Sequence, residues 1–277
     1  MSFFQRIEQR AKEINSLLCI GLDPHDVDPE VQKVKPYLDI GYAVGLSRWA
    51  AKIVHETKDL AVCYKINAAF FEAHGAAGVW ALQDLIQVIK ARGVPVILDC
   101  KRADIGSTAA YLAKALFEYM DADCITVLPY LGFDILEDLL PEGKAAFVVC
   151  KTTNEVYRHC PFQTRRGLGG FEPYLYEEVA LAVKEMRKKY YHELGLVVGA
   201  QDREALELIR EHDPDAWFLT PGVGAQGGDL KNALKAGLQK DGLGMLLSVS
   251  RGITHHKQSP RERTEYYTEA IRSARGC

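Results

Sequence analysis

The chain has 277 residues, 48% of them hydrophobic and 26% charged, a composition that excludes disorder, which needs low hydrophobicity and high net charge. Lys plus Arg number 34 against 37 Asp plus Glu, so the formal net charge is −3 and no global basic character marks a nucleic-acid binder. The length suits one large domain or two small ones, and it is ample to bury a core without staples.

The amino terminus, Met1-Ser2-Phe3-Phe4-Gln5-Arg6, has no apolar signal core, and Ser2 stands where myristoylation needs glycine. Apolar, β-branched-rich runs of strand length then recur at Leu17–Leu22, Ala61–Ile66, Val94–Leu98, Cys124–Leu128, Ala145–Cys150, Leu196–Gly199, Trp217–Thr220 and Met245–Val249. Little polar alternation is the mark of strands buried on both faces, hence of a parallel sheet. Amphipathic segments lie between them. In Val79–Lys90 the apolar positions Val79, Leu82, Leu85, Ile86 and Ile89 recur at threes and fours, and similar faces occur in Thr108–Tyr119, Tyr176–Tyr190 and Asp202–Glu211. Strand followed by helix, repeated eight times, predicts a (β/α)8 TIM barrel made by one domain over residues 1–277. An open doubly wound sheet would want a G-x-G-x-x-G turn after the first strand, where Asp23-Pro24-His25 stands instead. The longest irregular stretch runs from Lys151 to about Glu172; its Gly167-Leu168-Gly169-Gly170 follows no strand and fails as a dinucleotide fingerprint.

Of seven cysteines, Cys19, Cys63, Cys100, Cys124 and Cys150 sit in apolar runs, and Cys160 and Cys277 do not. The count is odd and no pair has C-x-x-C spacing, which reads as buried thiols in a reducing compartment. Cys277 as the last residue leaves no prenylation box, and no window approaches the roughly 18 apolar residues of a membrane span. The expectation is a soluble, cytoplasmic chain. Trp49, Trp80 and Trp217 read as core, His25 as a turn residue, and His255-His256, without partners at metal spacing, as an exposed loop.

In such a barrel the catalytic groups project from the carboxyl ends of the strands. Strand one ends at Asp23, strand two at Lys65, and strand three at Asp99 and Lys101, followed by Asp104. Strand five ends at Lys151-Thr152-Thr153-Asn154, strand seven at Thr220-Pro221-Gly222-Val223-Gly224, and strand eight at Ser250-Arg251-Gly252. In an extended segment Asp99 and Lys101 point to one side and Cys100 to the other. An ammonium held beside carboxylates stays protonated, which suits a proton donor to a developing carbanion and not Schiff-base chemistry. A structural ion pair at a loop is the other reading of Asp-x-Lys. Gly222, Gly224, Gly227 and Gly228 leave backbone N–H groups open to an anion, at the place where barrels often hold phosphate. Arg251 offers a bidentate contact to such an anion and Gln226 an amide donor, although the glycines alone could merely turn the chain.

Asp99-x-Lys101-x-x-Asp104-Ile105-Gly106-x-Thr108 resembles the signature of orotidine 5'-phosphate decarboxylases. Cys19-Ile20-Gly21-Leu22-Asp23 and Tyr64-Lys65-Ile66 resemble that family's first two strands, and the segments ending in Gly224 and Gly252 its phosphate loop and arginine. The length and Cys150-Lys151-Thr152-Thr153-Asn154 resemble the longer, bacterial-type branch. The resemblance implies decarboxylation of orotidine 5'-monophosphate to uridine 5'-monophosphate, without cofactor or metal, at the last step of pyrimidine nucleotide synthesis. It implies that Lys101 protonates C6, that Asp99 lies beside the departing carboxylate, and that Lys65 links Asp99 to the ribose hydroxyls. Asp23 would contact the ribose, Thr152 or Thr153 the pyrimidine, and Gly222, Gly224, Gln226 and Arg251 the phosphate. Asp104 and Thr108 would reach the neighbouring subunit's site in a homodimer. Sister enzymes of the same barrel hold magnesium with a carboxylate on the second strand, where Lys65 stands here. A Schiff-base aldolase and an inactive nucleotide-binding barrel are the remaining readings.

Overall fold

The computed structural model describes residues 1–25, 40–153, 173–190, 193–223 and 229–276. Eight parallel strands pair in sequence order and close on themselves, β8 against β1: the expected TIM barrel. They are β1 (Leu18–Gly21), β2 (Cys63–Asn67), β3 (Val96–Arg102), β4 (Cys124–Val127), β5 (Ala145–Lys151), β6 (Glu193–Val198), β7 (Phe218–Pro221) and β8 (Met245–Val249). The residues of β1, β4, β5 and β8 are buried throughout, because the barrel core covers one face and helices the other. The longer helices are α1 (Phe3–Glu13), α2 (Ile40–Thr57), α3 (Gly75–Lys90), α4 (Gly106–Ala113), α5 (Leu175–Tyr190), α6 (Arg203–His212), α7 (Leu230–Gly237) and α8 (Pro260–Arg275).

Helix α1 closes the amino-terminal end of the barrel. A capping box starts it: Gln5 N donates to Ser2 Oγ and Ser2 N donates to the Gln5 side chain, which satisfies two otherwise orphaned donors. Phe3, Ile7 and Ala11 form its buried stripe. Phe4 N donates to Glu193 at the start of β6, Arg6 pairs with Asp123 just before β4, and Arg10 donates to Ala61 O before β2. The opposite end is left to the strand exits.

Two segments depart from the reading of the sequence. β3 does not stop at Leu98 but continues through the charged residues to Arg102, since pairing with β4 lapses after Leu98 and resumes at Arg102 opposite Val127. The helix expected over 108–119 begins at Gly106 and turns π-helical over Lys114–Tyr119, where Met120 N donates to Ala115 O. Trp49 and Trp217 are buried, but Trp80 is 48% exposed. The buried face of α3 is Gly78, Ala81, Leu82, Leu85, Ile86 and Ile89, and a residue two places from Gly78 falls on the far side of a 3.6-residue turn.

Cys19, Cys63, Cys124 and Cys150 are buried and free, and Cys100 is half-buried and free. Cys160, Cys277 and the expectation of an irregular stretch over 154–172 lie outside the described residues. Among the described residues no helix is long and apolar enough to cross a membrane.

Candidate active site

Register brings the first three strand exits together. Gly21 lies opposite Lys65, and Asn67 opposite Asp99. Glycine at position 21 is required by packing, since a Cβ there would come within 2.7 Å of Ser250 Cβ at the exit of β8. The result is an alternating chain of charges. Lys65 Nζ lies 4.0 Å from Asp23 Oδ1 and donates to Asp99 Oδ2 at 3.0 Å. Lys101 Nζ donates to Asp99 Oδ1 at 2.6 Å. Asn67 N holds Asp23 by donating to its Oδ1 at 3.3 Å.

Burial disfavours charge on both central groups, and their partners overcome it. Desolvation works against the Lys65 ammonium, but Asp23 and Asp99 raise its pKa above that of an ordinary lysine. Desolvation likewise opposes the Asp99 carboxylate, but Lys65 and Lys101 hold it well below the usual carboxylate range. A depressed carboxyl contributes stability that is present above its unfolded pKa and is lost as pH falls. A raised ammonium contributes stability that is present below its unfolded pKa and is lost as pH rises. The melting-temperature difference between wild type and Lys65→Met/Asp99→Asn should therefore stay flat from about pH 5 to about pH 10, turning against wild type on either side. A difference sloping steadily through neutral pH would contradict the charge assignment.

Lys101 reaches Asp99 from an unusual backbone. Its φ is +48°, a left-handed conformation that few residues other than glycine adopt and that clusters at functional sites. Thr126 of β4 supports it: Lys101 N donates to Thr126 Oγ1 at 2.9 Å, and Thr126 Oγ1 donates to Asp99 Oδ1 at 2.8 Å. One hydroxyl thereby fixes both the backbone of the lysine and the carboxylate facing its ammonium. Thr126 was not among the residues singled out from the sequence. Its signal is being the one hydroxyl in the otherwise apolar strand Cys124-Ile125-Thr126-Val127. Cys100 turns its Sγ toward Thr126 O, and burial pushes its thiol up to about 11, which disfavours the thiolate at neutral pH.

Among the described residues two cavities open at the strand exits and share Lys65 and Pro221 in their walls. One, of about 210 Å³, presents Lys65, Asp99, Lys101, Thr126, Thr152 and Thr153 against apolar Val149, Val197 and Leu219. The other, of about 360 Å³, presents Asp23, His25, Gly222, Ser250 and Arg251. Gly222 has φ +98°, which only glycine takes readily in such a turn. Gly224, Gln226, Gly227 and Gly228 lie outside the described residues.

His25 is no mere turn residue: it lines the larger cavity, with its ring 4.7 Å from Phe70 and 4.9 Å from His255. His255 is half-buried because it packs on His25 and Trp49, whereas His256 is exposed. Asp104 and Thr108 line neither cavity. Asp104 Oδ1 accepts from Ile105 N at 2.8 Å, and Thr108 is exposed on α4. Among the described residues no group of three His, Cys, Asp or Glu side chains is placed to hold a metal ion. The joint pocket offers a guanidinium and a glycine turn at one end, and an ammonium beside a carboxylate, against apolar walls, at the other. That arrangement can anchor an anionic tail and hold a reacting centre several ångströms away from it.

The model of the orotidine 5'-phosphate decarboxylase / HUMPS family matches residues 16–267. The chain is 39% identical over 276 residues to an orotidine 5'-phosphate decarboxylase of Roseiflexus sp. (strain RS-1), covering 98% of this chain and 96% of that one. It is 40% identical over 256 residues to the enzyme of the same name from Halobacterium salinarum, covering 91% and 89%. Among solved structures, the OMP decarboxylase of Leishmania donovani matches with a TM-score of 0.85 at 38% identity over 100% of both chains. The UMP synthase of Leishmania donovani matches with a TM-score of 0.86 at 40% identity; the alignment spans 99% of this chain and 57% of that longer one.

Proposed function

Because the chain belongs to the orotidine 5'-phosphate decarboxylase / HUMPS family, we propose that it converts orotidine 5'-monophosphate to uridine 5'-monophosphate and carbon dioxide. The observation that carries this reading is the Asp23–Lys65–Asp99–Lys101 chain of charges set into the pocket wall. We read residues 1–277 as one domain whose strand exits form the site.

When the bond from C6 to the carboxyl carbon breaks, carbon dioxide leaves and its electron pair stays on C6. That pair lies in the ring plane, where the π system cannot delocalise it. Lys101 supplies the proton that makes the new C6–H bond. A general acid contributes about 10²–10⁴ in rate, or roughly 3–5 kcal/mol, too little for so poor a step. The remainder comes from a fixed cation beside the nascent carbanion and from binding energy of remote groups realised in the transition state. Thr126 matters here, because it holds the Lys101 backbone and Asp99 in place before any charge develops. Asp99 then lies next to the departing carboxylate, Lys65 and Asp23 face the ribose, Thr152 faces the pyrimidine, and Gly222, Gly224, Gln226 and Arg251 hold the phosphate.

Asp104 and Thr108 belong, in this proposal, to the neighbouring site of a homodimer. Support comes from exposed apolar side chains that follow two adjacent strands: Ile105 and Tyr111 after β3, and Leu128, Tyr130 and Leu131 after β4. Exposed large apolar side chains concentrated at neighbouring strand exits fit an interaction surface. A cytoplasmic location fits the five free thiols among the described residues.

The family also spans chemistry that uses a metal, and position 65 separates the two. Lys65 occupies the second-strand position and is held by Asp99 and Asp23, so a cation already fills the place of a metal-binding carboxylate. Purified protein treated with EDTA should therefore lower orotidylate absorbance at the untreated rate. Strict dependence on added magnesium would overturn the proposal.

A further inference from the structure

Strand five carries a charge that the proposed chemistry leaves unused. Lys151 ends β5 with 0% exposure, yet it lines neither cavity. Its Nζ lies 2.9 Å from Asp202 Oδ2 and 5.8 Å from the centre of the Tyr176 ring on α5. The contact with Asp202 is ionic, without the alignment of a hydrogen bond. A buried ammonium is unfavourable unless paired, so Asp202 is drawn onto the end of β5. Asp202 is itself anchored, since it caps α6 by accepting from Ala205 N at 3.1 Å.

The turn that Asp202 ends, 199–202, touches both sides of the smaller cavity. Gly199 N donates to Lys151 O at 2.8 Å, and Ala200 N donates to Pro221 O at 2.9 Å. A Cβ at Gly199 would stand 3.0 Å from Thr153 Cγ2 and 3.4 Å from Thr153 N, so glycine lets the turn lie flush against the exit of β5. Thr152, Thr153 and Pro221 all line the cavity that also holds Asp99 and Lys101. The β5–β6 register slips between Val149 and Lys151, leaving this corner to be held by other contacts than the regular ladder.

We propose that Lys151 is a positioning residue: by holding Asp202 it locks the 199–202 turn, and through that turn it sets Thr152 and Thr153 against the end of the pocket that takes the pyrimidine. This inference rests on the substrate reading given above. The Lys151–Asp202 pair therefore acts more on recognition of the base than on the phosphate, and not on the proton.

Lys151→Met keeps the length of the side chain and removes its charge; Asp202→Asn keeps the helix cap and changes a side chain that is 34% exposed. Calorimetric titration with uridine 5'-monophosphate and with ribose 5-phosphate reads base and phosphate recognition separately. Both variants should weaken the nucleotide about tenfold and raise KM for orotidylate alike, while kcat changes by less than about threefold and ribose 5-phosphate by less than about twofold. Should Lys151→Met fail to fold, Asp202→Asn decides alone. A folded variant that binds the nucleotide as wild type does, or that loses both ligands equally, overturns the inference. Wild type that binds ribose 5-phosphate but not the nucleotide would overturn the substrate reading and this inference with it, which the variants alone would not do.

Discussion

Replacing Lys101 by alanine should lower kcat by at least about 10⁴ and leave a folded chain that still binds uridine 5'-monophosphate within about tenfold of wild type. Two contributions disappear together. The proton donor to C6 is lost, and so is the cation that stabilises the electron pair before the proton moves. Folding should survive, because the Lys101 side chain is 46% exposed at the mouth and alanine retains the Cβ that the backbone at φ +48° already accommodates. Lys101→Gly, which relieves that backbone, should be equally inactive and no less stable. The Thr126 contact to the backbone N–H of position 101 is common to all three proteins, so a loss of rate reports the ammonium and not the loop. Turnover within tenfold of wild type in Lys101→Ala would remove the proton-donor role and return Asp99–Lys101 to a structural ion pair.

The barrel is legible in the sequence because strands covered on both faces leave nearly unbroken apolar runs, as in Cys124–Val127 and Met245–Val249. Lys65, Asp99 and Lys101 stand out for the same reason: a charge that interrupts such a run has to lie at a strand exit. What stayed hidden depends on residues distant in the chain. The role of Thr126 requires β3 to skip a register step against β4 so that the N–H of Lys101 meets its hydroxyl, and nothing local to Cys124–Val127 announces that. His25 follows a proline and looks like punctuation; Phe70 and His255 turn it into a cavity wall. Trp80 shows the converse error, since hydrophobicity alone placed it inside whereas the phase of α3 places it outside. Lys151 was visible as a charge after β5, but its burial and its partner come from the turn after β6.

Arg251→Ala should lower kcat/KM for orotidine 5'-monophosphate by about 10²–10⁴, since a bidentate guanidinium makes two charge-assisted hydrogen bonds of about 1.5–3 kcal/mol each and roughly 1.36 kcal/mol corresponds to tenfold. The bare nucleoside orotidine should react with wild type and variant at the same rate. Arg251 borders the larger cavity beside Ser250 and Gly252, at the exit of β8, while the ammonium of Lys101 borders the smaller one. The two residues therefore act on opposite ends of one ligand, and the phosphate end takes no part in bond breaking. Its binding energy lowers the barrier only if part of it is realised in the transition state. If so, the loss in the variant divides between KM and kcat, and inorganic phosphite added to wild type should speed turnover of orotidine. The same phosphite should do nothing for Arg251→Ala, because the guanidinium that would grip it is gone. A loss confined to KM would mean that Arg251 holds substrate and transition state equally. Equal losses for nucleotide and nucleoside would mean that the residue shapes the pocket and holds no phosphate at all.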